Sequence, residues 1–147
     1  MEGRILGLDY GSRTVGVAVS DPLYITAQSL LTIRRARPTK LRTTIAAIRE
    51  LVEKYSVSLF VIGLPIGLDG IEGERCAATR EFGTILTTKT GIPVYYQDER
   101  FTTVIAEQSM KAAGFKSHEK IKEKVDETAA ALILQTYLDN GKNNLHR

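Results

Sequence analysis

The stretch ILGLDYGSRTVGVAVSD, Ile5 to Asp21, decides how this chain is read. Two short β-rich runs, Arg4 to Asp9 and Thr14 to Ser20, flank the link GSR. Gly11 can take positive φ there, so the runs are expected to pair as an antiparallel hairpin. The first run ends in a carboxylate, Asp9. A carboxylate in that position is costly to desolvate unless it is paired or metal-bound. In open α/β sheets the carboxyl ends of strands are also where ligands bind. Asp9 is therefore a candidate site residue, set against the plainer reading of DYGS as a local turn. Asp21, followed by Pro22, reads as a simple strand exit.

Working outward, Tyr24 to Arg35 carries β-formers and can supply a third strand. Thr39 to Tyr55 spaces Leu41, Ile45, Ile48, Leu51 and Val52 by threes and fours, the pattern of an amphipathic helix. Leu59 to Ile62 is wholly apolar, as expected of a strand buried on both faces. A glycine-rich loop, Gly63 to Gly73, leads into a helical pattern over Glu74 to Thr88. Cys76 in that pattern reads as a small core filler. Pro93 to Gln97 is another strand. Helices are expected from Thr103 to Ala113, with Gly114 as C-cap, and from Val125 to Leu138. The order βββαβαβα implies an α/β fold, a mixed sheet with helices packed on its faces. Right-handed crossovers would set strands four and five parallel to the first. Residues 1–140 are expected to form one domain and 141–147 a polar tail.

Composition narrows the chemistry. The 147 residues carry a formal charge of +3, a mild basic bias that permits a nucleic-acid partner. One cysteine excludes an intrachain disulfide, and two histidines, His118 and His146, exclude a zinc site built on several. No apolar stretch approaches the roughly eighteen residues that span a bilayer, so a cytoplasmic protein with no membrane partner is expected.

Two further acidic positions join Asp9. Asp98 and Glu99 follow the strand GIPVYYQ, and neighbours on a strand point oppositely, so only one can face the same cleft as Asp9. Asp126 lies at the N-terminal end of a stripe formed with Ala130, Ile133 and Tyr137, on the face expected to pack on the sheet. Three carboxylates at one sheet edge repel unless cations intervene, and hard oxygen ligands suit Mg²⁺ or Mn²⁺. Two such ions about 4 Å apart can activate water and stabilise the leaving oxygen of a phosphodiester, which is nuclease chemistry. Arg34, Arg35, Arg37, Lys40, Arg42 and Arg49 form the densest basic segment and can track a nucleic-acid backbone. Lys116, Lys120, Lys122 and Lys124 form a more dilute one. The glycine-rich loop lacks the Lys and Ser/Thr of a P-loop, although its backbone N–H groups are a further potential phosphate contact.

ILGLDYGSRTVGVAVSD, VIGLPIGLDG, VYYQDERFTT and VDETAAALILQTYLD, in this order, resemble the YqgF or RuvX-like family. Its members are known as Holliday junction resolvase-like proteins and as nucleases that process the 5′ end of pre-16S ribosomal RNA. The resemblance runs from Arg4 to Asp139. It implies a ribonuclease H-like fold and assigns the catalytic, metal-binding carboxylates to Asp9, Glu99 and Asp126. Arg100 of the DER motif is the expected phosphate contact, with Arg13, Arg37 and Lys40 as further nucleic-acid contacts. Arg13 stands where the family often has a basic residue in the first turn, and Glu127 where a small or apolar residue is common. Structured RNA is the expected substrate and branched DNA the alternative, with the protein a monomer or weak homodimer. Two other classes compete. A binding or ribosome-maturation factor on the same fold would need no catalysis. The LGLDYGSRTVGVAV hairpin also looks like that of actin-like ATPases and sugar kinases, which close two domains around ATP, whereas this chain has length for one.

Overall fold

The computed structural model describes residues 3–35, 41–99 and 129–140. Chain order gives β1 (Arg4–Tyr10), β2 (Thr14–Ser20), β3 (Ala27–Arg34), α1 (Leu41–Tyr55), β4 (Val57–Leu64), α2 (Glu74–Thr90) and β5 (Val94–Asp98). A helical segment follows over residues 129–140. The helix expected over Thr103 to Ala113 lies outside the described residues, as do Lys116 to Lys124.

The five strands form one sheet in the order β3-β2-β1-β4-β5. The first three are antiparallel neighbours, and β4 and β5 run parallel to β1. The expected hairpin and both parallel crossovers are therefore present. Strand β4 is longer than its apolar centre suggested, because backbone pairing to β1 and β5 extends through Val57 and Leu64.

Period-two alternation divides the core into two layers. On one face Leu6 and Leu8 of β1, Val15 and Val17 of β2, and Phe60 and Ile62 of β4 pack against Ile45 and Ile48 of α1 and Phe82 and Leu86 of α2. The α1 stripe is the one the spacing indicated, with Leu41, Leu51 and Val52 at its margin. On the other face Ile5, Ala18, Leu59 and Val61 meet Ala130, Ile133, Leu134 and Leu138 of the 129–140 segment. Cys76 is fully buried, and burial pushes its thiol pKa up, consistent with a core filler. Asp21 accepts N–H bonds from Leu23, Ile25 and Thr26, which hold its carboxyl below the usual range and confirm it as a turn residue.

Close approach of the C-terminal segment depends on a missing side chain. A Cβ added at Gly7 would sit 2.7 Å from Leu134 Cβ and 3.1 Å from the Ala130 carbonyl oxygen. Gly7→Ala must push the helix off the sheet, since backbone cannot yield as a side-chain tip does. We expect G7A to lower stability by about 1–3 kcal/mol, read from urea unfolding. A G7A midpoint equal to the wild-type value would show that the helix does not rest on this strand.

Candidate functional site

Asp9 belongs to the face of β1 that carries Ile5 and Gly7, the side covered by the 129–140 segment. On β5, Val94 and Tyr96 pack toward α1 and α2, whereas Tyr95 meets Tyr137 of the C-terminal segment, ring centroids 4.9 Å apart. Alternation from Tyr95 through Gln97 brings Glu99, not Asp98, to the Asp9 side. The choice between the two acids is thus made by strand register.

Asp9 and Glu99 arise two strands apart, separated by β4 and so by about 10 Å of sheet. Gly63 of β4 lies between them. A Cβ there would fall 2.3 Å from Glu99 Oε2 and 2.4 Å from Ile133 Cδ1. The Glu99 carboxylate occupies the space a side chain at Gly63 would fill, with Ile133 packed beside it. The Glu99 backbone is anchored by its N–H to the Leu64 carbonyl, 3.2 Å.

Electrostatics follow from this packing. Glu99 has its pKa raised from 4.5 to about 7. Burial is the main cause, and repulsion from Asp9 adds to it. The Arg75 cation opposes the rise, and Asp98 contributes a smaller push upward. Sharing of charge between half-buried carboxylates is the setting in which a hard divalent cation binds well. Asp9 and Glu99 therefore fit the donor chemistry of Mg²⁺ or Mn²⁺. Among the described residues no group of three or more His, Cys, Asp and Glu converges as a metal cluster, and Asp126 lies outside them.

The β1–β2 turn beyond Asp9 gathers arginines from distant sequence. Arg35 is 5% exposed, and its guanidinium lies 4.9 Å above the Tyr10 ring and donates from Nη2 to the Gly11 carbonyl, 2.7 Å, and to that of Ser12. Tyr10 also stacks on Phe82, centroids 4.2 Å apart. Arg75, in the first turn of α2, donates from Nη2 to the Tyr10 carbonyl at 2.8 Å. Arg13 is exposed in the turn itself.

This arrangement removes Arg35 from the basic segment expected to track a nucleic-acid backbone. Arg35 is buried as a brace for the turn, while Arg49 lines a shallow hollow with Glu50, Glu53 and Lys89, between α1 and the end of α2. Arg37, Lys40 and Arg100 lie outside the described residues. The glycine-rich loop also differs from expectation. The N–H groups of Ile66, Gly67, Gly70 and Ile71 are bonded to acceptors within the loop or at its base, so they are not open to a phosphate. Arg75 was not singled out from sequence, because its neighbour ERCAATRE is an ordinary helical context and its partner Tyr10 is 65 positions away.

The strand order, its mixed polarity and the acidic carboxyl edge define a ribonuclease H-like α/β domain. Superposition agrees: RuvC of Thermus thermophilus aligns with a TM-score of 0.56 at 14% identity, covering 94% of this chain and 96% of that one. RuvC from the same organism in complex with a Holliday junction substrate aligns with a TM-score of 0.54 at 14% identity, covering 89% and 91%. The chain belongs to the RuvX family, described as Holliday junction resolvase, whose model matches residues 3–140. A protein of Agathobacter rectalis named "Putative pre-16S rRNA nuclease" is 53% identical over 141 residues, 96% of this chain and 98% of its own. A namesake from Lactobacillus delbrueckii subsp. bulgaricus is 47% identical over 137 residues, 92% of this chain and 96% of its own.

Raising the pKa of an acid means that the folded chain holds a proton the unfolded chain releases. Stability from this source is complete below pH 4.5 and is lost as pH rises through about 7. Without divalent cation, Glu99→Gln should therefore be more stable than wild type at pH 8, by as much as about 3 kcal/mol. The advantage should vanish near pH 4. Urea unfolding in chelator at both pH values measures this, and equal stabilities at pH 8 would show that Glu99 ionises without penalty.

Proposed function

We propose that this protein is a metal-dependent nuclease that hydrolyses phosphodiester bonds and processes the 5′ end of pre-16S ribosomal RNA. The observation that carries this reading is the pairing of Asp9 and Glu99 on one face, across a glycine, at the carboxyl edge of the sheet. The names of its relatives support the substrate class.

Asp126 completes the proposed carboxylate set. The described segment runs from the Gly63 end of the sheet at Ile133 toward Tyr95 at Tyr137, so its N-terminal end faces the Asp9 edge. Mg²⁺ or Mn²⁺ held by Asp9, Glu99 and Asp126 would supply Lewis acidity for activating water and for offsetting charge on the leaving oxygen. In the reaction a water oxygen forms a bond to phosphorus, the bond to the 3′ oxygen breaks, and that oxygen takes up a proton. The products are a 3′-hydroxyl and a 5′-phosphate. The carboxylates orient the reacting groups, and Arg13 and Arg100 contact the strand. A site at the edge of a sheet suits a polymer substrate. Action on a ribosomal precursor places the protein in the cytoplasm on this reading, and among the described residues no helix is long and apolar enough to cross a membrane.

A second reading, cleavage of four-way DNA, is favoured by the family description and by RuvC. Symmetric cutting of a junction needs two sites in a C₂ dimer, whereas an RNA end can be trimmed by a monomer. Asp9→Asn keeps the shape and removes a charge that repels Glu99. It should retain the fold, with stability equal to wild type or higher. Its turnover should fall by at least about a hundredfold. Wild type and D9N are compared on a precursor 16S RNA carrying its 5′ leader and on a labelled four-way junction, each with magnesium, manganese or chelator. Metal-dependent RNA cleavage abolished in D9N supports the proposal. Paired nicking of the junction by a dimer, with the RNA intact, would replace it with junction resolution. Binding without cleavage of either would leave a maturation factor.

A further inference from the structure

We propose that Arg75, docked on the main-chain carbonyl of Tyr10, contacts a backbone phosphate of the nucleic-acid strand held at Asp9 and Glu99. The proposal rests on the nuclease reading above for the identity of the strand and adds a substrate-binding residue to it.

Four observations carry it. Arg75 comes from α2, on the sheet face opposite Asp9, yet reaches the carboxyl edge and bonds to the residue that follows Asp9. Its guanidinium has five N–H donors, and the bond to Tyr10 engages one nitrogen at 2.8 Å. The side chain is exposed, so the other donors can meet a ligand at this edge. Its position is also constrained. Tyr10 stacks on Phe82 and lies under the Arg35 guanidinium, so the carbonyl that anchors Arg75 is itself held in place. The cation is close enough to Glu99 to counter part of the repulsion there.

A phosphodiester brought to two carboxylates meets like charge. A cation fixed at the rim supplies the complementary one, and a guanidinium can bind two phosphate oxygens at once. The contrast with Arg35 is instructive. That guanidinium is closed under the turn and braces it, whereas Arg75 is open to solvent and has donors to offer. Arg80, further along α2, pairs with Glu72 at 2.8 Å and is committed to that bond.

The test separates charge from structure. Arg75→Gln removes the charge and, two bonds shorter, gives up the exposed bond to the Tyr10 carbonyl as well, while Arg75→Lys keeps the charge and loses the fork. Affinity for a fluorescein-labelled precursor RNA is measured by anisotropy in chelator, where cleavage is silent, over a range of salt. R75Q should bind roughly tenfold more weakly at low salt with an unchanged melting temperature. Its log–log salt slope should be shallower by about 0.7, the share of one phosphate on a single strand. R75K should keep the slope and bind with intermediate affinity. Wild-type affinity and slope in R75Q would overturn the proposal, as would a weakened R75Q whose melting temperature falls and whose slope is unchanged. The nuclease reading fails separately: if D9N cleaves normally while R75Q binds weakly, the phosphate contact stands and the catalytic assignment falls.

Discussion

Two carboxylates share one face of the sheet across a residue that has no side chain, and most of the architecture serves that constraint. Asp9 is the penultimate residue of the central strand and Glu99 follows an outer one. Only a gap at the strand between lets the second approach the first. Gly63 makes that gap, and Ile133 packs into the same space beside the Glu99 carboxylate. Partial exclusion of water then strengthens the repulsion between the acids, because a charge near apolar groups is poorly screened. The fold holds like charges together in a place that favours a cation.

The same face needs a helix close to the backbone, and Gly7 allows it. Gly7 and Gly63 occupy neighbouring strands, both beneath the 129–140 segment. Large side chains there would lift the helix and open the site to solvent. Small residues in the helix complete the fit, with Ala129 and Ala130 buried. The opposite layer is built differently: Phe60, Phe82 and aliphatic side chains fill a thick core under α1 and α2. One face of the sheet carries the bulk of the packing, while the other is thinned to bring backbone and carboxylates together.

Much of this was legible because it is written locally. Hairpin, helix stripe and β-branched runs each announce themselves within about ten residues, and the parallel crossovers follow from handedness. Asp9 was visible as a charge ending an apolar strand. What escaped is non-local. The choice of Glu99 over Asp98 rested on the resemblance until strand register decided it independently. The roles of Gly7 and Gly63 exist only once a helix from the far end of the chain lies over them. Arg35 and Arg75 look alike in sequence, yet one is buried beneath the turn and the other exposed at the edge. Linear charge density could not separate them, because it records neither burial nor partner.

Side-chain length gives the last link between sheet geometry and chemistry. The central strand can present its acid directly, and a short aspartate suffices at position 9. An acid from β5 must reach over β4, a step of about 5 Å in the strand-pairing direction. A glutamate extends one methylene further than an aspartate, and the density of contacts at Gly63 places its carboxylate oxygen over that strand. An aspartate at position 99 would leave its charge short of the lane and nearer Asp98. The acid that follows β5 is therefore specified twice, by alternation, which selects the residue, and by reach, which selects its type.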